Sequence, residues 1–344
     1  MKFSPVSALS SCVTLLIALT AFPSTAQKIT TFDFPNGIST TPVGISQFGQ
    51  VVGYYGDTHL GSVRGFVRNP NGTIWSFGAQ GSNMTVPTGV NAWGQIAGYF
   101  GQQQDSQYFD IGFVRNPFGQ IKNFSVPGQA MTFPQDISLA GEVVGYYEDL
   151  AQTAHGFIRH GNGSISTFDA GPSYFGGGTT ALGINAWASS TGSFRDVNFV
   201  QHGFLLRADG TMESFDAPGA VNTAPQAINT TGQITGSFTD SNQVNRGFVR
   251  QPDGTIDTFE APDATNTWAV AINDRGQITG TYSGEGSALH GFVRQPNGKF
   301  KTLDVPNASS TVPTGINASG EVTGVYSDAN GEQHGFVTGP FKGK

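Results

Sequence analysis

Charge is scarce in this chain. Only 12% of its 344 residues are Asp, Glu, Lys or Arg, and the formal balance is −7. A soluble domain usually carries about twice that share. The mild acidity removes the electrostatic basis for binding DNA or RNA. Cysteine is scarcer still. Cys12 is the single one, and it lies in a leader-like segment, so disulfides, C-x-x-C redox centres and thiolate nucleophiles are excluded for the rest of the chain. No stretch approaches 18 consecutive apolar residues, so no helical membrane span is expected. Helical spacing is absent too, which argues against an all-α protein. No G-x-S-x-G nucleophile elbow and no Walker loop occur.

What the chain has instead is 48 glycines and 27 phenylalanines. At its start, Lys2, the apolar stretch Val13–Leu19 and Ser24-Thr25-Ala26 read as a signal peptide cleaved near Ala26. Residues 1–26 are therefore expected to be the leader and residues 27–344 one mature domain. That domain would work in the periplasm or outside the cell.

The dominant feature is an internal repeat. Gly-Phe recurs at 65–66, 112–113, 156–157, 203–204, 247–248, 291–292 and 335–336. Thr40, Thr85, Thr132, Thr179, Thr223, Thr267 and Thr311 form a second column in the same frame. Gly53, Gly98, Gly145, Gly192, Gly236, Gly280 and Gly324 form a third. Each unit carries four short runs rich in β-branched and aromatic residues. Turn dipeptides such as Asp253-Gly254 and Asn297-Gly298 separate the last two. Four strands, here A to D, per unit of about 45 residues is the signature of a propeller blade. The expected fold is all-β: a seven-bladed β-propeller with four antiparallel strands per blade. The seventh unit stops after its third run, and the missing T-F-D-x-P run stands at Thr31-Phe32-Asp33-Phe34-Pro35. The N-terminal strand should therefore pair into the last blade and close the ring, burying edges that an open array would expose.

The unit also resembles the HAF-type extracellular repeat family. Its G-I-N-x-x-G-x-x-x-G segment appears here as Gly315-Ile316-Asn317-Ala318-Ser319-Gly320-Glu321-Val322-Thr323-Gly324, followed by His334-Gly335-Phe336. The resemblance covers nearly all of residues 27–344. It implies secretion and a repeat fold, and it brings no activity with it.

Columns present in every unit are read as scaffold. His155, His202, His290 and His334 fill one column before Gly-Phe, so they cannot converge on one metal, and none is expected. Asp149, Asp196 and Asp328 each precede a column histidine by six, and Asp240 precedes Arg246 by six. These pairs can face each other across the B–C hairpin, each worth ~0.2–1 kcal/mol.

Departures from the repeat are the site candidates. Loop length varies at the B–C and D–A connections, which share one face of the domain, so a ligand is expected there, over the central channel. Asp136 stands where the other units have Gly or Ala, on the strand that lines the channel. Phe133 and Trp268 occupy the second position of the same strand, elsewhere Thr, Val or Ala. An acid beside aromatics suits a carbohydrate or small polar ligand. The plainer role for Asp136 is a bond to a neighbouring backbone amide. Arg195 and the pair Tyr174-Phe175 lie in irregular loops and complete the set. Trp93 and Trp187 fall in the A–B turns, on the opposite face.

The first functional reading is a secreted, monomeric binding or scaffold propeller whose loop face takes a glycan, peptide or protein, with no cofactor. The alternatives are a polysaccharide lyase or glycoside hydrolase acting at the channel mouth, and a purely structural cell-surface repeat. Catalysis would need a converging acid and base. Glu148, Asp149 and Asp196 are the residues that could join Asp136.

Overall fold

A computed structural model of the chain describes residues 27–59, 61–104, 107–129, 131–172, 177–286 and 288–341. The leader-like segment 1–26 and the candidates Tyr174 and Phe175 lie outside the described residues.

Among the described residues the regular structure is all strand. β1 is Ile29–Phe32. The first unit supplies β2 (Gly37–Ile45), β3 (Val51–Asp57), β4 (Ser62–Arg68) and β5 (Ile74–Phe77). The second supplies β6 (Met84–Val90), β7 (Ile96–Gln104), β8 (Gln107–Arg115) and β9 (Ile121–Phe124). The third supplies β10 (Met131–Ile137), β11 (Val143–Glu148), β12 (Ala154–Arg159) and β13 (Ile165–Phe168). The fourth supplies β14 (Gly178–Ile184), β15 (Ser190–Arg195), β16 (Gln201–Leu206) and β17 (Met212–Phe215). The fifth supplies β18 (Ala220–Ile228), β19 (Ile234–Asp240), β20 (Asn245–Arg250) and β21 (Ile256–Phe259). The sixth supplies β22 (Asn266–Ile272), β23 (Ile278–Ser283), β24 (Leu289–Arg294) and β25 (Phe300–Leu303). Then come β26 (Ser310–Ile316), β27 (Val322–Ser327) and β28 (Gln333–Thr338). Within each unit consecutive strands pair antiparallel. The outer partner of β28 is β1, in the sheet order β1-β28-β27-β26.

The repeated residues explain the pairing. In six of the seven units the outer-strand Phe sits opposite the Gly of Gly-Phe, as in Gly156↔Phe168, Gly247↔Phe259 and Gly335↔Phe32, while the sixth has Leu303 opposite Gly291. The ring lies across that glycine. A Cβ on Gly156 would come 2.5 Å from the Phe168 ring, and one on Gly335 2.7 Å from the Phe32 ring. The same ring then meets the Gly-Phe phenylalanine of the next unit edge-on: Phe77 with Phe113 at 6.2 Å, Phe124 with Phe157 at 6.0 Å, Phe215 with Phe248 at 6.2 Å. Phe32 makes the equivalent contact with Phe66 of the first unit, at 6.1 Å. The arginine after Gly-Phe-Val or Gly-Phe-Ile covers the other side of that ring, Arg159 over Phe124 at 5.1 Å and Arg68 over Phe32 at 4.8 Å. The Gly-Phe phenylalanines are almost wholly buried, each contributing about 2 kcal/mol of transfer free energy.

Two polar columns tie the units. The Thr hydroxyl accepts a bond from the backbone amide of the preceding D–A connection, for example Val126 N to Thr132 at 3.1 Å and Val305 N to Thr311 at 3.0 Å. The Asn of Gly-Ile-Asn works in two directions. Asn273 Oδ1 accepts from the Arg275 and Gln277 amides and so caps its own A–B turn. Its Nδ2 donates to the Asn317 carbonyl of the next unit at 2.8 Å. Asn91, Asn185 and Asn229 repeat that donation. Asn317 in turn donates to the Ser46 carbonyl of the first unit at 3.2 Å.

Candidate functional site

At the C-terminal ends of the A strands (β2, β6, β10, β14, β18, β22 and β26), a cavity of about 220 Å³ touches the A–B turn of every unit, from Gln47 in the first to Ala318 in the last. Packing there is tight. A Cβ on Gly183 would lie 3.1 Å from the Ala227 Cα, and one on Gly89 3.2 Å from the Asp136 Cα. Small residues at this level let neighbouring strands approach.

Asp136 sits one residue before the end of β10. It is thus near the A–B turns, and not at the loop face where the sequence pattern suggested a ligand. Its carboxylate is taken up by backbone. Oδ1 accepts from Ile137 N at 2.8 Å and Oδ2 from Ile184 N of the next unit at 3.1 Å. Burial pushes its pKa up to about 6, and these two amide bonds oppose the rise. Two residues on, Ser138 replaces the bridging Asn, and Asp136 supplies the link between the third and fourth units instead. Its arrangement is that of a staple between strands.

The other candidates lie towards the loop face. Phe133 packs edge-on against Tyr99 at 5.4 Å and beside Tyr146 at 5.0 Å. Trp268 lines a cavity of about 420 Å³ with Gln201, Asn222, Gln226, Thr239 and Asn245. Its described lining holds no ionisable group. Several of these side chains are already oriented by their neighbours: Asn222 Oδ1 accepts from Gln201 N at 2.9 Å, and Thr239 donates to Asn245 Oδ1 at 3.1 Å. Arg195 ends β15 and lines an adjoining cavity of about 350 Å³ with Tyr146, Glu148 and Thr180. The structure therefore separates the candidates into three places and does not bring Asp136 to either aromatic ring.

One acid escaped the sequence pattern. Asp110 on β8 is 7% exposed, and its Oδ1 has no hydrogen-bond partner among the described residues. Burial raises its pKa, the Tyr108 hydroxyl bond lowers it, and the Glu148 charge raises it again. Strand pairing sets both acids beside Met131, as Asp110↔Met131 and Met131↔Glu148. Nothing in the repeat marks position 110, because its burial arises from the packing of β8 against β10.

The histidine column behaves as scaffold. His155 lies 3.4 Å from Asp149, as the spacing suggested, and closer still to Asp169 at 2.8 Å. His202, His290 and His334 repeat the second contact with Asp216, Asp304 and Asp33. Arg246 bridges Asp240 and Glu260 in the same way. The histidines also lie against strand-B aromatics, His155 on Tyr147 and His334 on Tyr326, both at 5.0 Å. Asp328, Glu332 and His334 come within 4.8 Å of one another. Asp328 spends Oδ1 on the Asn330 and Glu332 amides and His334 is held by Asp33, so this cluster is explained by its turn.

No family model matches the chain, and no curated protein matches it. Solved structures do. The β-propeller domain of the Trilobed protease from Pyrococcus furiosus, described as having an open velcro topology, aligns with a TM-score of 0.60 at 9% identity. The match covers 89% of this chain and 98% of that one. The chain is a β-propeller. Acylaminoacyl peptidase from Pyrococcus horikoshii aligns with a TM-score of 0.56 at 11% identity, over 89% of this chain and 52% of that one. A prolyl endopeptidase aligns at 0.56 and 12%, over 92% and 47%. This propeller spans about half the length of those two peptidases, and at such identities the likeness concerns fold alone. Among the described residues no helix is long and apolar enough to cross a membrane.

Proposed function

We propose that the protein is an exported, closed seven-bladed propeller that binds an uncharged glycan on the face where its B–C and D–A connections emerge. Closure is supported by β1 as the outer strand of the last sheet, by Phe32 against Phe66, and by the Asn317–Ser46 bond. Export is supported by the leader-like residues 1–26 and by the resemblance to extracellular repeats.

The observation that carries the ligand class is the cavity around Trp268. An indole beside side-chain amides and a hydroxyl, with no ionisable lining, offers an apolar face to a sugar ring and paired donors and acceptors to its hydroxyls. Gln226 makes no side-chain hydrogen bond among the described residues, which leaves its amide for a ligand. A charged ligand would find no counter-charge there.

The test is calorimetric titration of residues 27–344 with a panel of neutral oligosaccharides. Binding is expected for at least one, and Trp268→Ala and Gln226→Ala should each weaken it at least ~10-fold, about 1.4 kcal/mol, with an unchanged melting temperature. No binding across the panel, or full affinity in Trp268→Ala, would overturn the reading. A hydrolase or lyase reading rests on one observation, the buried Asp110 beside Glu148. It requires product release from the same panel, lost in Asp110→Asn.

A further inference from the structure

A second cleft opens at the opposite end of the domain, between the A–B and C–D turns of the first two units. It holds about 430 Å³ and is lined by Phe48, Trp75, Trp93, Phe118, Pro70 and Pro117 among others. We propose that this cleft binds a segment of an uncharged polysaccharide chain, stacked on Trp75, Trp93 and Phe118. The proposal goes beyond the Trp268 pocket and does not depend on it.

The repeat itself is the internal control. At the exposed position of the outer strand, Trp75 stands where the other units have Thr30, Lys122, Ser166, Glu213, Asp257 and Lys301. In the C–D turn, Phe118 stands where Asn71, Asn162, Asp209, Asp253 and Asn297 occur. In the A–B turn, Phe48, Trp93 and Trp187 stand where Ala140, Thr231, Arg275 and Ser319 occur, and Phe48 and Trp93 are in consecutive units. The fold therefore requires no aromatic at any of these places. Four of these five departures fall in the same cleft, and Trp187 stands alone on the fourth unit.

Exposure points the same way. Phe48 is 68% exposed, Trp75 58%, Trp93 64% and Phe118 92%. None of the four rings contacts another ring among the described residues, so each keeps a free face. A concentration of exposed aromatics of this kind marks a binding surface. Charge complementarity then selects the ligand. The sole ionisable residue among the described lining is Arg115, and its guanidinium already lies 4.9 Å over the Phe77 ring and donates to the Asn116 carbonyl at 3.2 Å. With its one cation so engaged and no carboxylate in the described lining, the cleft suits an uncharged ligand that presents flat C–H faces. The flanking turns have closed their own backbone bonds: Gly49 N to Ser46 O, Gly72 N to Asn69 O, Gly94 N to Asn91 O and Gly119 N to Asn116 O. They hold few main-chain groups for an extended peptide.

The experiment is affinity electrophoresis of residues 27–344 in gels containing hydroxyethyl cellulose, xylan, galactomannan or soluble starch, with Trp268→Ala run alongside. Retardation by at least one polymer is expected. Trp75→Ala/Trp93→Ala should lose it at least ~10-fold, while Trp268→Ala keeps it. Because these side chains are exposed, the melting temperature of the double variant should not move, which separates lost binding from lost folding. Wild-type protein that passes every gel unretarded overturns the proposal, as does a double variant retarded like wild type. Binding of a polyproline peptide in place of the polymers, or a wild-type dimer that the double variant abolishes, assigns the cleft to another occupant and equally overturns it. Loss of retardation in Trp268→Ala alone would move polymer binding to the loop face and sink this site without touching that one.

Discussion

Removing one phenylalanine ring tests ring closure, because the repeat provides its own reference. Phe32 and Phe124 are outer-strand residues at equivalent positions, both partly buried. Phe32 meets Phe66 at 6.1 Å with Arg68 at 4.8 Å; Phe124 meets Phe157 at 6.0 Å with Arg159 at 5.1 Å. A fully buried Phe→Ala change costs ~3–5 kcal/mol. Partial burial lowers that figure, while the edge-to-face contact (~0.5–1.5 kcal/mol) and the cation over the ring (~0.5–1 kcal/mol) are included in it. About 3 kcal/mol is therefore expected at each site. The two positions differ only in connectivity. Phe124 sits in mid-chain, whereas Phe32 pairs with Gly335 in the last sheet, and the adjoining Asp33–His334 contact spans 301 residues. Urea unfolding of residues 27–344 reads both variants. In a closed ring Phe32→Ala and Phe124→Ala destabilise equally, within ~0.5 kcal/mol. If β1 is only loosely attached, Phe32→Ala costs less than ~0.5 kcal/mol while Phe124→Ala still costs about 3, and the closure argument fails.

Asn317→Ala removes the donor to Ser46 and the caps on Ser319 and Glu321. It should cost about 2–3 kcal/mol, matched by Asn273→Ala, and a near-neutral change in thermal unfolding would contradict the linking role. Asp136 gives a pH signature. Its folded pKa of about 6 lies above the unfolded value near 3.8, so the native state holds the extra proton and this group's contribution to stability falls as pH rises from about 4 to 6. Asp136→Asn should remove that part of the slope in urea midpoints measured from pH 4 to 7. An unchanged slope would place the carboxylate in water.

The strand pattern was legible without coordinates. The four short runs expected of each unit appear in the fifth as Ala220–Ile228, Ile234–Asp240, Asn245–Arg250 and Ile256–Phe259. The pairing of Thr31-Phe32 with the last sheet could be read from the missing fourth run, because each unit states the same local rule. The B–C acid–base pairs were legible for the same reason, since six residues across a hairpin is a local distance. The second acid of each histidine was not. Asp169 reaches His155 through the C–D pairing, and its identity follows from side-chain direction across two strands.

Sites proved harder than strands. Asp136 stood out as a departure, yet its partner Ile184 N is 48 residues away on the neighbouring unit. Trp75, Trp93 and Phe118 look unrelated in the chain because they belong to different turns and strands. Residue order and periodicity alone determined the all-β architecture and the repeated columns, since hydrophobic alternation, turn residues and close-packed glycines act over a few residues. Only the tertiary structure decided which carboxylates are spent on backbone amides and which aromatic rings share a cleft. Those depend on how separate units meet in space, and a contact between them has no signature at any single position.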